Sequence, residues 1–280
     1  MPPRVSVILP THDRRSLLVR AARSVLAQEF RDLELIVVDD ASQEDIAGAV
    51  AALEDSRVRL VRLDQRQGGA GARNAGLAQA RGDLVAFQDS DDEWLPGKLA
   101  RQVAQLDGSG PDVAVSYTAF WRQSGDRRTT YPKPEEDRLE GDLHAVLLER
   151  NFITTAAAVV RRAALIEAGG FDAAMPRYQD WDLWIRIARR HRFVFVPEPL
   201  LLQHHQDDSI SANAPARLAA RLRLLEKYRE DMERHPGVRA RQLREVAALL
   251  RAAHRRREAR RLSRQAMWVS LQDRLGRRRA

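Results

Sequence analysis

The chain has 280 residues, 44% hydrophobic and 31% charged, enough for a substantial core in one or two domains. It contains no cysteine, which excludes disulfides and thiolate metal sites. Residues 213–280 hold 20 Arg and Lys against 7 Asp and Glu, a charge of +13, so within the net charge of +8 the preceding part carries −5.

The apolar run at residues 5–9 reads as a buried strand; it is too short for a signal peptide and is broken by Pro10. Residues 14–28 set Leu18, Ala22, Val25 and Leu26 at a helical period. A second strand is expected at 33–38, a short helix at 46–53 and a third strand at 58–63. Gly68-Gly69-Ala70-Gly71 opens a helix reaching residue 80, Gly82-Asp83 turns the chain, and 84–87 is a fourth strand. Pro96 suits the first turn of a helix that reaches residue 106. This alternation predicts right-handed crossovers and a mostly parallel sheet.

Beyond Gly110 the pattern mixes. A strand is expected at 113–121, a polar loop at 122–136, a helix at 139–148, a strand at 155–160 and a short helix at 163–168 closed by Gly169-Gly170. Residues 181–190 are amphipathic, and 193–196 form a short strand ending at Pro197. The tail reads as helices over 218–232 and 238–268, broken at His235-Pro236-Gly237. The predicted fold class is α/β: a single mostly parallel mixed sheet with flanking helices, followed by a C-terminal helical extension.

No stretch approaches the ~18 apolar residues of a membrane span. The expected location is the cytoplasm, with the inner face of the plasma membrane as a peripheral alternative. The arginine-rich tail admits three readings: a helical hairpin packed on the domain, a basic helix on an anionic membrane surface, or nucleic-acid binding. The last is disfavoured, because no nucleic-acid-binding signature accompanies the charge. An oligomer is compatible with the sequence.

Two apolar runs end in carboxylates, Asp39-Asp40 and Asp89-Ser90-Asp91-Asp92. Such a cluster repels itself unless a cation sits there, and a divalent metal holding a phosphate group is the natural candidate. Strand ends of this kind place one polar site at the carboxyl edge of a parallel sheet. The glycine run does not follow GxGxxG, and GxxxxGK[ST] is missing, so neither a dinucleotide fingerprint nor a P-loop is present.

Five segments in order resemble family 2 glycosyltransferases. They are Val5-Ser6-Val7-Ile8-Leu9-Pro10-Thr11-His12-Asp13-Arg14, Leu35-Ile36-Val37-Val38-Asp39-Asp40-Ala41-Ser42, Gln67-Gly68-Gly69-Ala70-Gly71-Ala72-Arg73-Asn74-Ala75-Gly76, Phe87-Gln88-Asp89-Ser90-Asp91-Asp92 and Tyr178-Gln179-Asp180-Trp181-Asp182-Leu183-Trp184-Ile185-Arg186. The resemblance covers residues 4–211 and leaves the tail outside. It implies a GT-A fold and transfer of a hexose-like sugar from a nucleotide donor, with inversion. It divides the chain into a nucleotide-sugar half at 1–110, an acceptor and catalytic half at 111–212 and the basic extension at 213–280.

The same resemblance implies the site. Asp91 is the metal ligand for Mn²⁺ or Mg²⁺, and Asp89 with Ser90 contacts the nucleotide. Pro10, Thr11 and Asp13 line the base and ribose pocket, Asp39 accepts from uracil or ribose, and Arg73 meets the nucleotide or diphosphate. Asp180 is the base that takes the proton of the acceptor hydroxyl; Gln179 stands beside it where the family carries Glu. His205 is assigned to the metal or diphosphate site, with His204 as the competing register. UDP is the expected nucleotide, and the acceptor is a saccharide or a lipid-linked intermediate.

Structural readings compete at several positions. Asp39-Asp40 could cap a turn, Asp92 could cap the following one, and Arg73 could serve an internal ion pair. Asp182 is a competing base, and Trp181 and Trp184 either stack on a sugar or fill the core. Two other functions compete for the whole chain: a nucleotide-sugar-binding scaffold without turnover, suggested by Gln179, and a sugar-phosphate nucleotidyltransferase. The latter is disfavoured because Pro10-Thr11-His12-Asp13 lacks the glycine and lysine of a triphosphate loop.

Overall fold

A computed structural model describes residues 2–133, 138–204 and 214–277. Its centre is a nine-stranded sheet in the order β3-β2-β1-β4-β8-β6-β9-β5, with β7 paired to β6 outside that path. The strands are β1 (Val5–Thr11), β2 (Leu33–Asp39), β3 (Val58–Arg62), β4 (Leu84–Phe87), β5 (Glu93–Trp94), β6 (Val113–Ser124), β7 (Arg127–Tyr131), β8 (Ala158–Arg161) and β9 (Arg192–His204). The pairings set β1, β2, β3, β4, β6 and β9 in one direction and only β5, β7 and β8 against it, so the expected mostly parallel mixed sheet is present.

Side-chain alternation along β1 and β2 explains the layering. Val5, Val7, Leu9, Leu35 and Val37 face one core with α1 (Arg15–Leu26), α2 (Ile46–Ala51) and α4 (Lys98–Asp107). Ile8, Ile36 and Val38 face the other, with α3 (Gly68–Gln79), α5 (His144–Glu149), α6 (Arg162–Glu167) and α7 (Gln179–Ala188). The sheet is therefore buried on both sides, as a parallel sheet with crossover helices must be. Helix α3 lies close on β1: a Cβ on Gly76 would stand 2.5 Å from Ile8 Cγ2.

The extension is α8 (Ala214–Lys227), α9 (Arg229–Glu233), α10 (Pro236–Ala252) and α11 (Arg256–Arg277). Helix α8 contributes Ala220 and Leu224 to the α7 side of the main core and Leu218 to a third apolar cluster between α10 and α11. Among the described residues, no helix is long and apolar enough to cross a membrane.

The structure departs from the sequence reading in four places. The polar stretch expected to be a loop at 122–136 is largely the β6–β7 hairpin, in which Phe120 pairs with Tyr131 and Trp121 with Thr130. Edge strands can be polar because one side meets water, so polarity hid this hairpin. Strand β9 runs on through Pro197 and Pro199 to His204; register shifts against β6 flank Ala119, where an irregular ladder tolerates a missing donor. The strand expected at 155–160 begins as a 3-10 turn, Thr155–Ala157, before β8. The tail reverses at residues 253–255, with His254 at φ 58°, because folding α11 back on α10 buries Val246, Leu250, Leu262 and Ala266 together.

Candidate functional site

The strand order 3-2-1-4 reverses direction between β1 and β4, which opens a crevice at their carboxyl ends. The crevice is a cavity of about 550 Å³. Pro10, Thr11, Arg73, Asp89, Ser90 and Asp91 all line it, so six of the residues singled out from sequence come together. Thr11 Oγ1 is buried there with no hydrogen-bond partner among the described residues, which leaves it free for a ligand.

The wall after β4 is acidic and partly neutralised. Arg73 Nη2 donates to Asp89 Oδ1 at 2.5 Å, and Arg14 Nη1 donates to Asp91 Oδ2 at 2.8 Å. Arg20 Nη2 holds the Asp91 backbone carbonyl at 2.7 Å. Asp92 has no such cation: it is buried, its Oδ2 has no partner among the described residues, and burial together with the charges of Asp89 and Asp91 pushes it well above the ordinary carboxylate range. A cation bound at this wall would relieve the crowding of carboxylates that raises the Asp92 pKa.

The opposite wall is the start of α3. Asp40 accepts from the N–H groups of Gln67 at 2.6 Å and Gly68 at 2.8 Å, which ties the loop to the end of β2. Gly68 sits at φ +73°, a conformation that favours glycine. Asn74 bonds both ways to the Phe171 backbone at 2.8 Å, so α3 also fixes the segment leading to α7.

Asp180 opens α7 after Tyr178, which is left-handed at φ 61°. Asn151 Nδ2 donates to Asp180 Oδ2 at 3.0 Å. Burial raises the Asp180 pKa, opposed by the Trp181 backbone N–H, by Asn151 and by the positive charge of Arg73, while the charge of Asp89 adds to the rise. Asp180 is not among the residues lining the cavity, but it feels the charges of Arg73 and Asp89, which are. A carboxylate with a raised pKa is the kind of group that accepts a proton.

Other assignments fall differently. Asp39 is fully buried and does not line the cavity; its Oδ2 accepts from Arg62 Nη1 at 2.9 Å and its Oδ1 from the Ser42 N–H at 2.9 Å. Its neighbour Asp40 points the other way, into the cavity, as strand alternation requires. Asp13 lies off the cavity and braces the following loop, accepting from the N–H groups of Gln43 and Glu44 at 2.7 and 3.1 Å, which lower its pKa. Asp182 is buried in a network with Arg186 Nη2 (2.7 Å), Lys227 Nζ (2.6 Å) and the Tyr228 hydroxyl (2.7 Å), which is no place for a base. Trp184 is a core residue whose Nε1 donates to the Ile153 carbonyl at 2.9 Å, and Trp181 packs under Arg221.

His205 lies outside the described residues. His204 ends β9 on the cavity rim, where its Nε2 is 2.7 Å from Glu93 Oε1. The sequence reading passed over His12, Arg14, Arg66, Arg122 and Arg177, all of which line the cavity. Five arginines around one crevice, with Arg14 and Arg73 among them, suit a diphosphate. Nothing local marks Arg66, Arg122 or Arg177, because each comes from a separate surface segment.

The donor set fits Mg²⁺ or Mn²⁺. Among the described residues no three His, Asp or Glu side chains form a closed metal cage. Ions of this class are commonly held by one or two carboxylates with substrate phosphates completing the shell. Asp91 and Asp89 supply such oxygens, and the buried Oδ2 of Asp92 next to them has no hydrogen-bond partner among the described residues.

Residues 6–169 match the family model for glycosyl transferase family 2. The succinoglycan biosynthesis protein ExoO of Rhizobium meliloti is 42% identical over 113 residues, 40% of this chain and 32% of that protein. A GalNAc(5)-diNAcBac-PP-undecaprenol beta-1,3-glucosyltransferase of Campylobacter jejuni is 44% identical over 101 residues, 35% of this chain and 33% of that protein. The matches thus span about a third of the length of each of these relatives. In three dimensions, S. aureus TarS 1-349 in complex with UDP-GlcNAc superposes with a TM-score of 0.67 at 16% identity, covering 96% of this chain and 92% of that one. That likeness is one of fold, and the fold is of the GT-A type.

Proposed function

The chain belongs to glycosyl transferase family 2, and from that premise we propose that it transfers a sugar, with inversion, from a nucleoside-diphosphate sugar to a hydroxyl of a saccharide or lipid-linked acceptor. UDP is the proposed nucleotide, and Mn²⁺ or Mg²⁺ the proposed ion. The observation that carries the reading is the pairing of a crevice of about 550 Å³, lined by Arg14, Arg73, Asp89 and Asp91, with a carboxylate of raised pKa at Asp180.

Transfer forms a bond from the acceptor oxygen to the anomeric carbon and breaks the bond from that carbon to the distal phosphate. The acceptor proton goes to Asp180, and the electron pair leaves with the nucleoside diphosphate. A bound divalent ion, held by Asp91 with Asp89 nearby, would neutralise charge on the departing diphosphate. Arg14 and Arg73 supply further positive charge there, and their side chains are already oriented by Asp91 and Asp89. Asn151 holds the Asp180 carboxylate in place and favours its charged form. Approach of the acceptor opposite the leaving group gives inversion.

Lipid-linked acceptors are supported by the relative named for transfer to an undecaprenyl-diphosphate-linked saccharide, and UDP by the nucleotide in the TarS complex. The basic C-terminal helices are the part of this protein proposed to meet an anionic membrane surface. The test is a transfer assay with UDP-sugars and a soluble saccharide acceptor, with product stereochemistry read by NMR. Inverted product that depends on Mn²⁺ or Mg²⁺ is expected. Tight UDP binding with no turnover of any donor would instead favour the scaffold reading that Gln179 prompts.

A further inference from the structure

The outward face of α11 is divided along its length. At 100° per residue, Arg257, Arg260, Arg261 and Arg264 share one face with Met267, Trp268, Leu271 and Leu275. The opposite face, with Ala259, Leu262, Ala266 and Val269, is buried in the cluster formed with α10. The outward residues are all exposed, Trp268 at 62% and Met267 at 68%. A helix that has already buried one apolar stripe gains nothing in folding from a second, and four large apolar side chains on one turn-to-turn path mark a docking surface.

A groove of about 490 Å³ between α10 and α11 adjoins the stripe, bordered by Arg244, Arg251 and Arg274 as well as Met267 and Leu271. Arg244 and Arg251 each donate to a serine hydroxyl, Ser270 Oγ at 3.5 Å and Ser263 Oγ at 3.2 Å, and these neutral contacts do not cancel their charge. Apolar side chains are thus set beside positive charge on the same helix and in the adjoining groove.

We propose that this face docks on an anionic lipid bilayer. Met267, Trp268, Leu271 and Leu275 enter the boundary between headgroups and acyl chains, while the arginines of α11 and the groove bind headgroup phosphates. A second copy of the chain is the poorer occupant. A parallel pairing of two α11 helices would set arginine against arginine, and an antiparallel pairing would set arginine against the apolar stripe. The inference deepens the lipid-linked acceptor reading by naming the surface that brings the crevice to its substrate.

The experiment is co-sedimentation of the full chain with vesicles of phosphatidylcholine and phosphatidylglycerol, and with phosphatidylcholine alone. Binding to the anionic vesicles only is expected, weakening as salt is raised, with a blue shift of tryptophan emission that Trp268→Phe lacks. Trp268→Glu with Leu271→Glu is expected to weaken association at least about tenfold. Joint Gln replacement of Arg257, Arg260, Arg261 and Arg264 is expected to weaken it at least about tenfold and to flatten the salt dependence. Thermal stabilisation by UDP in solution is unchanged in both variants, so failure here is distinguishable from failure of the nucleotide site. No association of the parent chain with anionic vesicles, or equal association of the variants, overturns the proposal. A dimer dissociated by the Glu variant, with vesicle binding intact, assigns the face to a second copy instead.

Discussion

Asp180 and Asn151 allow the sharpest test of roles at the residue scale. Burial holds the folded pKa of Asp180 above its ordinary value of 3.8. A carboxyl group with a raised folded pKa loses stability for the fold as pH rises from the unfolded value through the folded one, and the loss persists at neutral pH. Asp180→Asn is therefore expected to raise the melting temperature at pH 7 while transfer falls by about two to four orders of magnitude, the usual worth of a general base. A lower melting temperature with matching loss of UDP affinity would show that Asp180 is a structural anchor. Asn151 donates to the charged form, so Asn151→Ala should move the acid limb of the pH–rate profile to higher pH; an unmoved limb with reduced kcat would leave Asn151 only a packing role. The motif singled out Asp180 as the candidate base, while its partner Asn151 and its raised pKa emerge only from the fold. Asp39 and Asp40 show where such reading stops: a pair of adjacent carboxylates at a strand end must face opposite ways, and only the folded sheet reveals that Asp40 reaches the crevice while Asp39 is spent on Arg62 and Ser42.

Helix α3 packs on the sheet through a close approach at Gly76. A Cβ at Gly76 would stand 2.5 Å from Ile8 Cγ2 and 3.1 Å from Val38 Cγ2, both in the core. Ala in place of Gly inside a helix usually helps by about 1 kcal/mol. Overpacking against two buried branched side chains costs about 1–3 kcal/mol. The clash should win, so Gly76→Ala is expected to lower stability in urea unfolding and to weaken UDP binding as α3 shifts; a more stable variant would show that α3 moves freely on β1. The tie between α7 and the extension is testable in the same way. Tyr228 is buried, donates to Asp182 and has its pKa raised by burial and by the Asp182 charge. Tyr228→Phe is expected to cost about 1–3 kcal/mol, measured by the same unfolding, because it removes a bond to a buried carboxylate. Apolar runs and helical periods made the first four strands and α1 legible in the sequence. The β6–β7 hairpin and the reversal at 253–255 were not, because a wet edge lacks alternation and a helical hairpin is specified by the partner it folds onto.

Across the whole molecule, positive and negative charge are segregated, with the crevice in the net-negative part and the arginine-rich surface on the C-terminal helices. The crevice itself joins both signs: Arg14 and Arg73 are paired with Asp91 and Asp89, while burial and these neighbouring charges push Asp92 toward its neutral form. A nucleoside diphosphate that engages Arg14 and Arg73 would draw them from Asp91 and Asp89 and leave those carboxylates unpaired, so binding should be strong only when a divalent ion accompanies it. A thermal-shift titration with UDP, dTDP, GDP, CDP and ADP, each with Mn²⁺ and with EDTA, reads this coupling directly, because a ligand that binds only the folded state raises its melting temperature. The expected result is a rise that is selective for UDP and requires Mn²⁺. Asp91→Asn should abolish the Mn²⁺-dependent part of the rise, and Asp180→Asn should leave it intact. Equal loss in both variants would mean that the two carboxylates serve one function, and the separation of metal holding from proton transfer would fall. A UDP response undiminished by EDTA would place the whole neutralising role on the arginines around the crevice.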